Sequence, residues 1–407
     1  MNTKLRLIIM NFLQYAIWGA WLISLGSYLG GILHFSGSQI GSFFATMGIA
    51  SLFMPGLMGI IADRWIPAQK LLGICHIIAA AFMFIAAQQT GYGALYPLVL
   101  LSVMFFMPTI ALSNSVAYNA LDRAGLDSVK HFPPIRVWGT VGFIVSMIAV
   151  SLLGWEQSPM QLYLSGTLGI FLGLYSFTLP ASPINKNAEK SSLVDKLGLR
   201  AFTLFKDHKM AVFFIFSMLL GMMLQVTNAF ANPYIKSFGE LPQYANTFGV
   251  KYTNILISLS QISEAVCILL IPFFLKKFGI KKVMLISMFA WVLRFGLLGA
   301  GNPGPGLWMF ILSMLVYGVA FDFFNISGSL FVDQETDAKI RSSAQGVFMM
   351  MTNGFGAFFG SYAAGYIINT FGNTPTSWYI FAGFALIVAI LFAILFKYKY
   401  VPEKMKS

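Results

Sequence analysis

Four ionisable side chains, Arg136, Glu264, Arg294 and Asp322, stand inside long apolar stretches of this chain. Placing such a group at the middle of a membrane costs about 2.5 to 3.5 kcal/mol even on the mildest insertion scale, so each needs a reason. Two cations and two anions allow internal ion pairs that hold a helix bundle together, and that reading stays open for all four. Their neighbours point further. Asn254, Ser258, Gln261 and Glu264 are spaced by 4, 3 and 3 residues, and so share one face of a helix. Gly318, Asp322, Asn325 and Ser329 repeat the pattern inside GVAFDFFNISGSLF, flanked by Tyr317 and Phe321. Shorter stripes are Gln225, Asn228 and Asn232, and Arg136, Thr140 and Phe143.

Side-chain amides donate and accept together, which suits a neutral ligand with adjacent donors and acceptors, such as a nucleobase edge or sugar hydroxyls. Phe143, Tyr317 and Phe321 offer flat faces for stacking a base. Aromatic residues make up 16% of the chain, however, so the amides and carboxylates carry more information than any single ring. A lone Asn or Gln in a membrane helix is commonly glue between helices; four stripes predict a polar cavity.

The elements that must position these residues are membrane helices. The chain has 407 residues, 57% of them hydrophobic and 10% charged, and its mean hydropathy is +0.75; a soluble domain carries about 25% charged residues. Apolar runs long enough to cross a hydrocarbon core of about 30 Å fill almost the whole sequence, too long and unbroken for barrel strands. Twelve helices are expected, near 7–31, 38–62, 70–90, 93–119, 134–154, 159–179, 209–235, 251–275, 282–300, 306–332, 342–370 and 376–397. With the N-terminus in the cytoplasm, 22 of the 26 Lys and Arg fall on the cytoplasmic side and only Lys236 and Lys251 outside, which predicts both termini inside.

The basic residues are spread over short loops, so the formal charge of +12 reports orientation rather than a nucleic-acid surface. The longest polar segment divides the chain into a six-helix unit at 1–180, a cytoplasmic linker at 181–208 and a second six-helix unit at 209–407. In the linker Leu193, Leu197, Ala201, Leu204 and Phe205 recur at helical spacing and predict an interfacial amphipathic helix. GIIADRW (59–65) and KKFGIKK (276–282) occupy equivalent places in the two halves and suggest a duplicated unit. Cys75 and Cys267 lie apart in apolar runs, and His34, His76, His131 and His208 have no metal-ligand spacing, so no metal or disulfide framework is expected. A Walker loop and a hydrolase elbow are absent, which favours a secondary transporter over a pump or a membrane enzyme.

The six-plus-six pattern with GIIADRW resembles the major facilitator superfamily, although Trp65 and Pro67 replace the Gly and basic residues of the fuller motif. That likeness implies a cytoplasmic gate at Gly59, Asp63 and Arg64; the plainer alternative is that Asp63 and Arg64 mark a helix end. FLQYAIWGAWLISLGSY (12–28), FPPIRVWGTVGFI (132–144), FFIFSMLLGMMLQVTNAF (213–230), SQISEAVCILLIPFFL (260–275), YGVAFDFFNISGSLFV (317–332) and SAQGVFMMMTNGFG (343–356) are similar to the bacterial nucleoside–proton symporters. The resemblance implies a monomeric permease of the bacterial inner membrane for purine and pyrimidine nucleosides, working by alternating access, with protons as coupling ion and no other cofactor. It places the substrate at Arg136, Thr140, Phe143, Gln225, Asn228, Gln261, Glu264, Tyr317, Phe321 and Asp322, with Asp322 and Glu264 as proton carriers. A permease for a nucleobase or sugar, or a sensor on a transporter-like fold, would need similar polar stripes.

Overall fold

The structure, a computed structural model, describes residues 2–183, 199–337 and 340–398; the side chains of Asp63, Val129, Ser342 and residues 199–201 are outside the description. Among the described residues it is helical throughout, with no strand. Eight helices among the described residues are long and apolar enough to cross a membrane. The chain divides into two compact units, 1–191 and 192–407.

The first unit holds α1 (Thr3–Gly19), α2 (Leu25–Gly31), α3 (Gly37–Arg64), α4 (Ala68–Ala86), α5 (Tyr92–Arg123), α6 (Ser128–Leu152) and α7 (Met160–Ser176). Local chemistry sets several of the ends. Asn2 caps α1 by accepting from the Lys4 amide, and Ser36 and Gln39 form a reciprocal capping box that starts α3. The first expected span is broken between Gly19 and Leu25.

The helices pair as α1 with α6, α3 with α5, and α4 with both α5 and α7. Contact between α1 and α6 is close enough that a Cβ on Gly142 would stand 2.1 Å from the Phe12 carbonyl oxygen. Small residues let backbones approach where lipid supplies no hydrophobic drive between helices.

The second unit contains a 3-10 helix (Leu199–Lys206), α8 (His208–Ser237), α9 (Phe248–Lys251), α10 (Thr253–Ala300), α11 (Leu307–Glu335), α12 (Arg341–Met349), a π-helical stretch (Met350–Gly356), α13 (Ala357–Phe371) and α14 (Pro375–Leu395). A 48-residue α10 would be about 72 Å long if straight. It is instead two helices joined at Gly279, whose φ of 74° only glycine adopts freely, so the basic turn KKFGIKK contains a single non-helical residue.

Pairings within this unit follow the same plan as the first: α8 with the π stretch and α13, and α10 with α11 and α14. The amphipathic helix expected over 181–208 lies mainly outside the described residues; its last part is the 3-10 helix, which packs Phe205 on Phe214 at 5.1 Å. At the start of α8, Asp207 caps the Met210 amide, and Lys209 pairs with Glu335 at the end of α11.

Candidate substrate and proton-coupling residues

In the first unit the α6 stripe faces α1. The Arg136 guanidinium lies 3.9 Å over the Tyr15 ring, a cation–π contact that orients the fork of a partly exposed residue. One turn on, Thr140 is half-buried; Phe143 is buried, edge-on to Trp18 at 6.4 Å. Tyr15 and Trp18 therefore support both candidate contact residues from a single helix, and the Ser146 hydroxyl, donating to the Ala16 carbonyl, ties α6 to α1 just beyond.

The second unit gathers the acidic residues. Asp322 on α11 is only 3% exposed, and its Oδ2 has no hydrogen-bond partner. Glu264, half-buried on α10, lies within electrostatic range of both Asp322 and Tyr317. Tyr317 stacks on Phe321 at 5.9 Å with planes 10° apart, and it meets the edge of Trp291. Gln225 is buried on α8 with its Oε1 unpartnered; Asn228 and Gln261 are half-buried. Orphaned acceptors at Gln225 and Asp322 are costly to maintain in a buried site, so they mark positions where a donor is expected to arrive.

The structure separates other members of the stripes from this group. The Asn232 amide donates to Asn254 Oδ1 at 2.7 Å and joins α8 to α10. Ser329 and Gln345 exchange hydrogen bonds between α11 and α12. Gly318 is a point of contact: its amide donates to Ser263 Oγ, and a Cβ there would stand 2.5 Å from the Ser263 carbonyl oxygen.

Arg294 answers to its backbone and ring partners. Its guanidinium donates to the Ser313 carbonyl at 2.6 Å and lies 4.8 Å over Tyr317, while the Ser313 hydroxyl donates back to the Arg294 carbonyl. It acts as a brace between α10 and α11 that also holds the Tyr317 ring. At the gate positions, α3 ends at Arg64 and Gly59 lies on its last turns with open space around it; the Asp63 side chain is outside the description.

One buried polar group was not signalled by any stripe. Gln14 on α1 donates to Thr109 Oγ1 on α5 at 2.7 Å, and its Oε1 faces His76 Nε2 on α4 at 2.8 Å, with all three side chains excluded from solvent. They lie on three different helices, so only their long-range pairing reveals them.

Apolar helices of spanning length, with buried ionisable and amide side chains gathered on a few of their faces, define a membrane transport protein rather than an enzyme. The model of the nucleoside H+ symporter family matches residues 1–401, and the chain belongs to that family. It is 52% identical to the xanthosine permease of Escherichia coli K12 over 412 residues, covering 100% of this chain and 99% of the relative. With the nucleoside permease NupG of the same organism it shares 49% over 407 residues, 98% of this chain and 97% of the relative. The crystal structure of NupG superposes with a TM-score of 0.92, covering 98% of this chain and 100% of that one. A peptide transporter of the POT family, 14% identical with a TM-score of 0.75 over 97% of this chain and 93% of that one, shares the major facilitator-type fold alone.

Proposed function

We propose that this chain imports nucleosides together with protons across the bacterial inner membrane, by alternating access of two six-helix units, 1–180 and 209–407, joined by a cytoplasmic linker. Twelve spans with both termini inside complete the reading. The eight long helices become twelve when α10 is divided at Gly279 and when α1 with α2, α7, and α12 through α13 are each counted as one crossing. The transporter works as a monomer with no cofactor beyond the coupling proton, and Gly59, Asp63 and Arg64 serve its cytoplasmic gate.

Arg136, Thr140 and Phe143 recognise the nucleoside from the first unit. Gln225, Asn228, Gln261, Glu264, Tyr317, Phe321 and Asp322 do so from the second, with Asp322 and Glu264 handling the proton. The observation that carries this reading is Asp322: a carboxyl group 3% exposed, with one oxygen unpartnered and a second carboxyl in range, in a chain of this family. Two such carboxyls titrate as a pair, so proton binding at one alters the other. The amides of Gln225, Asn228 and Gln261 suit a base edge or ribose hydroxyls, and the stacked Tyr317 and Phe321 rings suit a flat ligand. Xanthosine, uridine and adenosine are the substrates to compare first, given the names of the relatives.

Purified protein in liposomes should accumulate labelled nucleoside when the lumen is made alkaline, and a protonophore should collapse that accumulation. Full accumulation in the presence of the protonophore would refute proton coupling. Uptake competed by free bases or sugars, and not by nucleosides, would refute the substrate.

A further inference from the structure

The buried Gln14–His76–Thr109 group ends at an unpaired atom. Thr109 Oγ1 donates to the Phe106 carbonyl, so toward Gln14 it can only accept, and the Gln14 amide nitrogen is the donor there. The other end of that amide, Oε1, must accept, so His76 Nε2 carries a proton. In the neutral ring this leaves His76 Nδ1 as a bare acceptor. It has no hydrogen-bond partner, and the side chain is 1% exposed.

His76 lines a cavity of about 10 Å³ where α1, α4, α5 and α7 meet, together with Ile17, Phe106, Ser102 and Ser165. Ser102 Oγ donates to the Ala79 carbonyl at 2.8 Å and Ser165 Oγ donates to the Ile17 carbonyl at 3.0 Å. Both hydroxyl protons are therefore committed, and His76, Ser102 and Ser165 each offer the cavity a lone pair. A cavity of about 10 to 15 Å³ holds one water, which needs two to four polar partners to stay.

We propose that this cavity is a binding site for one ordered water molecule, which donates one O–H to His76 Nδ1 and the other to Ser102 Oγ or Ser165 Oγ. The water completes a hydrogen-bond chain of fixed direction from the cavity through His76 and Gln14 to Thr109 and the Phe106 carbonyl. Three acceptors would also suit a small cation such as sodium, but no carboxylate lines the cavity, and an uncompensated charge is far costlier to bury than a neutral water. The site belongs to the first unit alone and does not depend on the residues proposed to bind nucleoside.

The chain has four histidines, and the other three are exposed or half-buried, so a full-length variant carrying His34→Asn, His131→Gln and His208→Gln has one imidazole left to observe. Solid-state NMR of that protein in lipid, with 15N-labelled histidine, should show a neutral ring protonated on Nε2. Magnetisation should transfer to it from an immobilised water, and Ser102→Ala combined with Ser165→Ala should weaken that transfer. A ring protonated on Nδ1, an absence of water transfer, or a transfer unaffected by the double substitution would overturn the proposal. Replacing sodium with choline should leave the Nδ1 resonance in place; a shift would assign the cavity to a cation and overturn it as well.

Discussion

The two units share a packing plan and differ in what they bury. In the first, a buried polar group that links three helices is neutral and directional: Thr109, Gln14 and His76 each have a defined donor or acceptor, and Arg136 stays partly exposed against Tyr15. In the second, Asp322 and Arg294 are themselves buried, with Glu264 beside Asp322, and acceptors on Gln225 and Asp322 are left open. A neutral network of directed hydrogen bonds ties helices together, whereas open ionisable groups respond to what binds. Similar helix pairings thus carry different polar interiors, one unit bracing a partly exposed cation on Tyr15 and the other burying Asp322 and Arg294.

Substitutions that convert one unit's character to the other's test this division, beginning where the effect is largest. One proton moving through 100 mV is worth about 2.3 kcal/mol, an accumulation ratio of about 50. Asp322→Asn should reduce accumulation in an energised liposome to near unity while preserving nucleoside exchange across the membrane; retained accumulation would remove Asp322 from the coupling. Arg294→Met leaves the Ser313 carbonyl without its charged donor and should cost about 2 to 3 kcal/mol of stability, seen as a lower Tm.

Smaller effects belong to the first unit. Thr109→Val strands the Gln14 amide and should cost about 1 to 2 kcal/mol in thermal stability, with transport per folded molecule unchanged. Arg136→Lys keeps the charge and loses the planar contact with Tyr15, about 1 kcal/mol or a rise of roughly fivefold in KM for nucleoside uptake. Lys209→Met removes a partly exposed ion pair with Glu335 and should change stability by about 0.5 kcal/mol in a denaturation assay.

Helix positions were readable because each membrane helix satisfies its own backbone hydrogen bonds, so composition and length alone mark it. The basic turn at KKFGIKK was visible between two apolar runs, whereas the caps that start α3 and α8 are findings of the structure. Side-chain duties were less legible. The stripe containing Asn254 and Glu264 lies on one helix, yet Asn254 bonds Asn232 across helices while Glu264 lies near Asp322. Spacing identifies a shared face but not the partner opposite it. Ser329 and Gly318 sit on the same stripe as Asp322 and prove to be packing contacts.

By itself, the sequence determined that this is a helical membrane protein and placed its costly polar residues, because burying charge in lipid is a penalty paid residue by residue. The tertiary structure alone decided which of those residues are satisfied. Arg294 found a carbonyl and a ring, Asp322 kept an open oxygen, and His76 joined Gln14, 62 positions away, which itself reaches Thr109. Satisfaction of a hydrogen bond is a relation between atoms of different helices, and it exists only after those helices have packed.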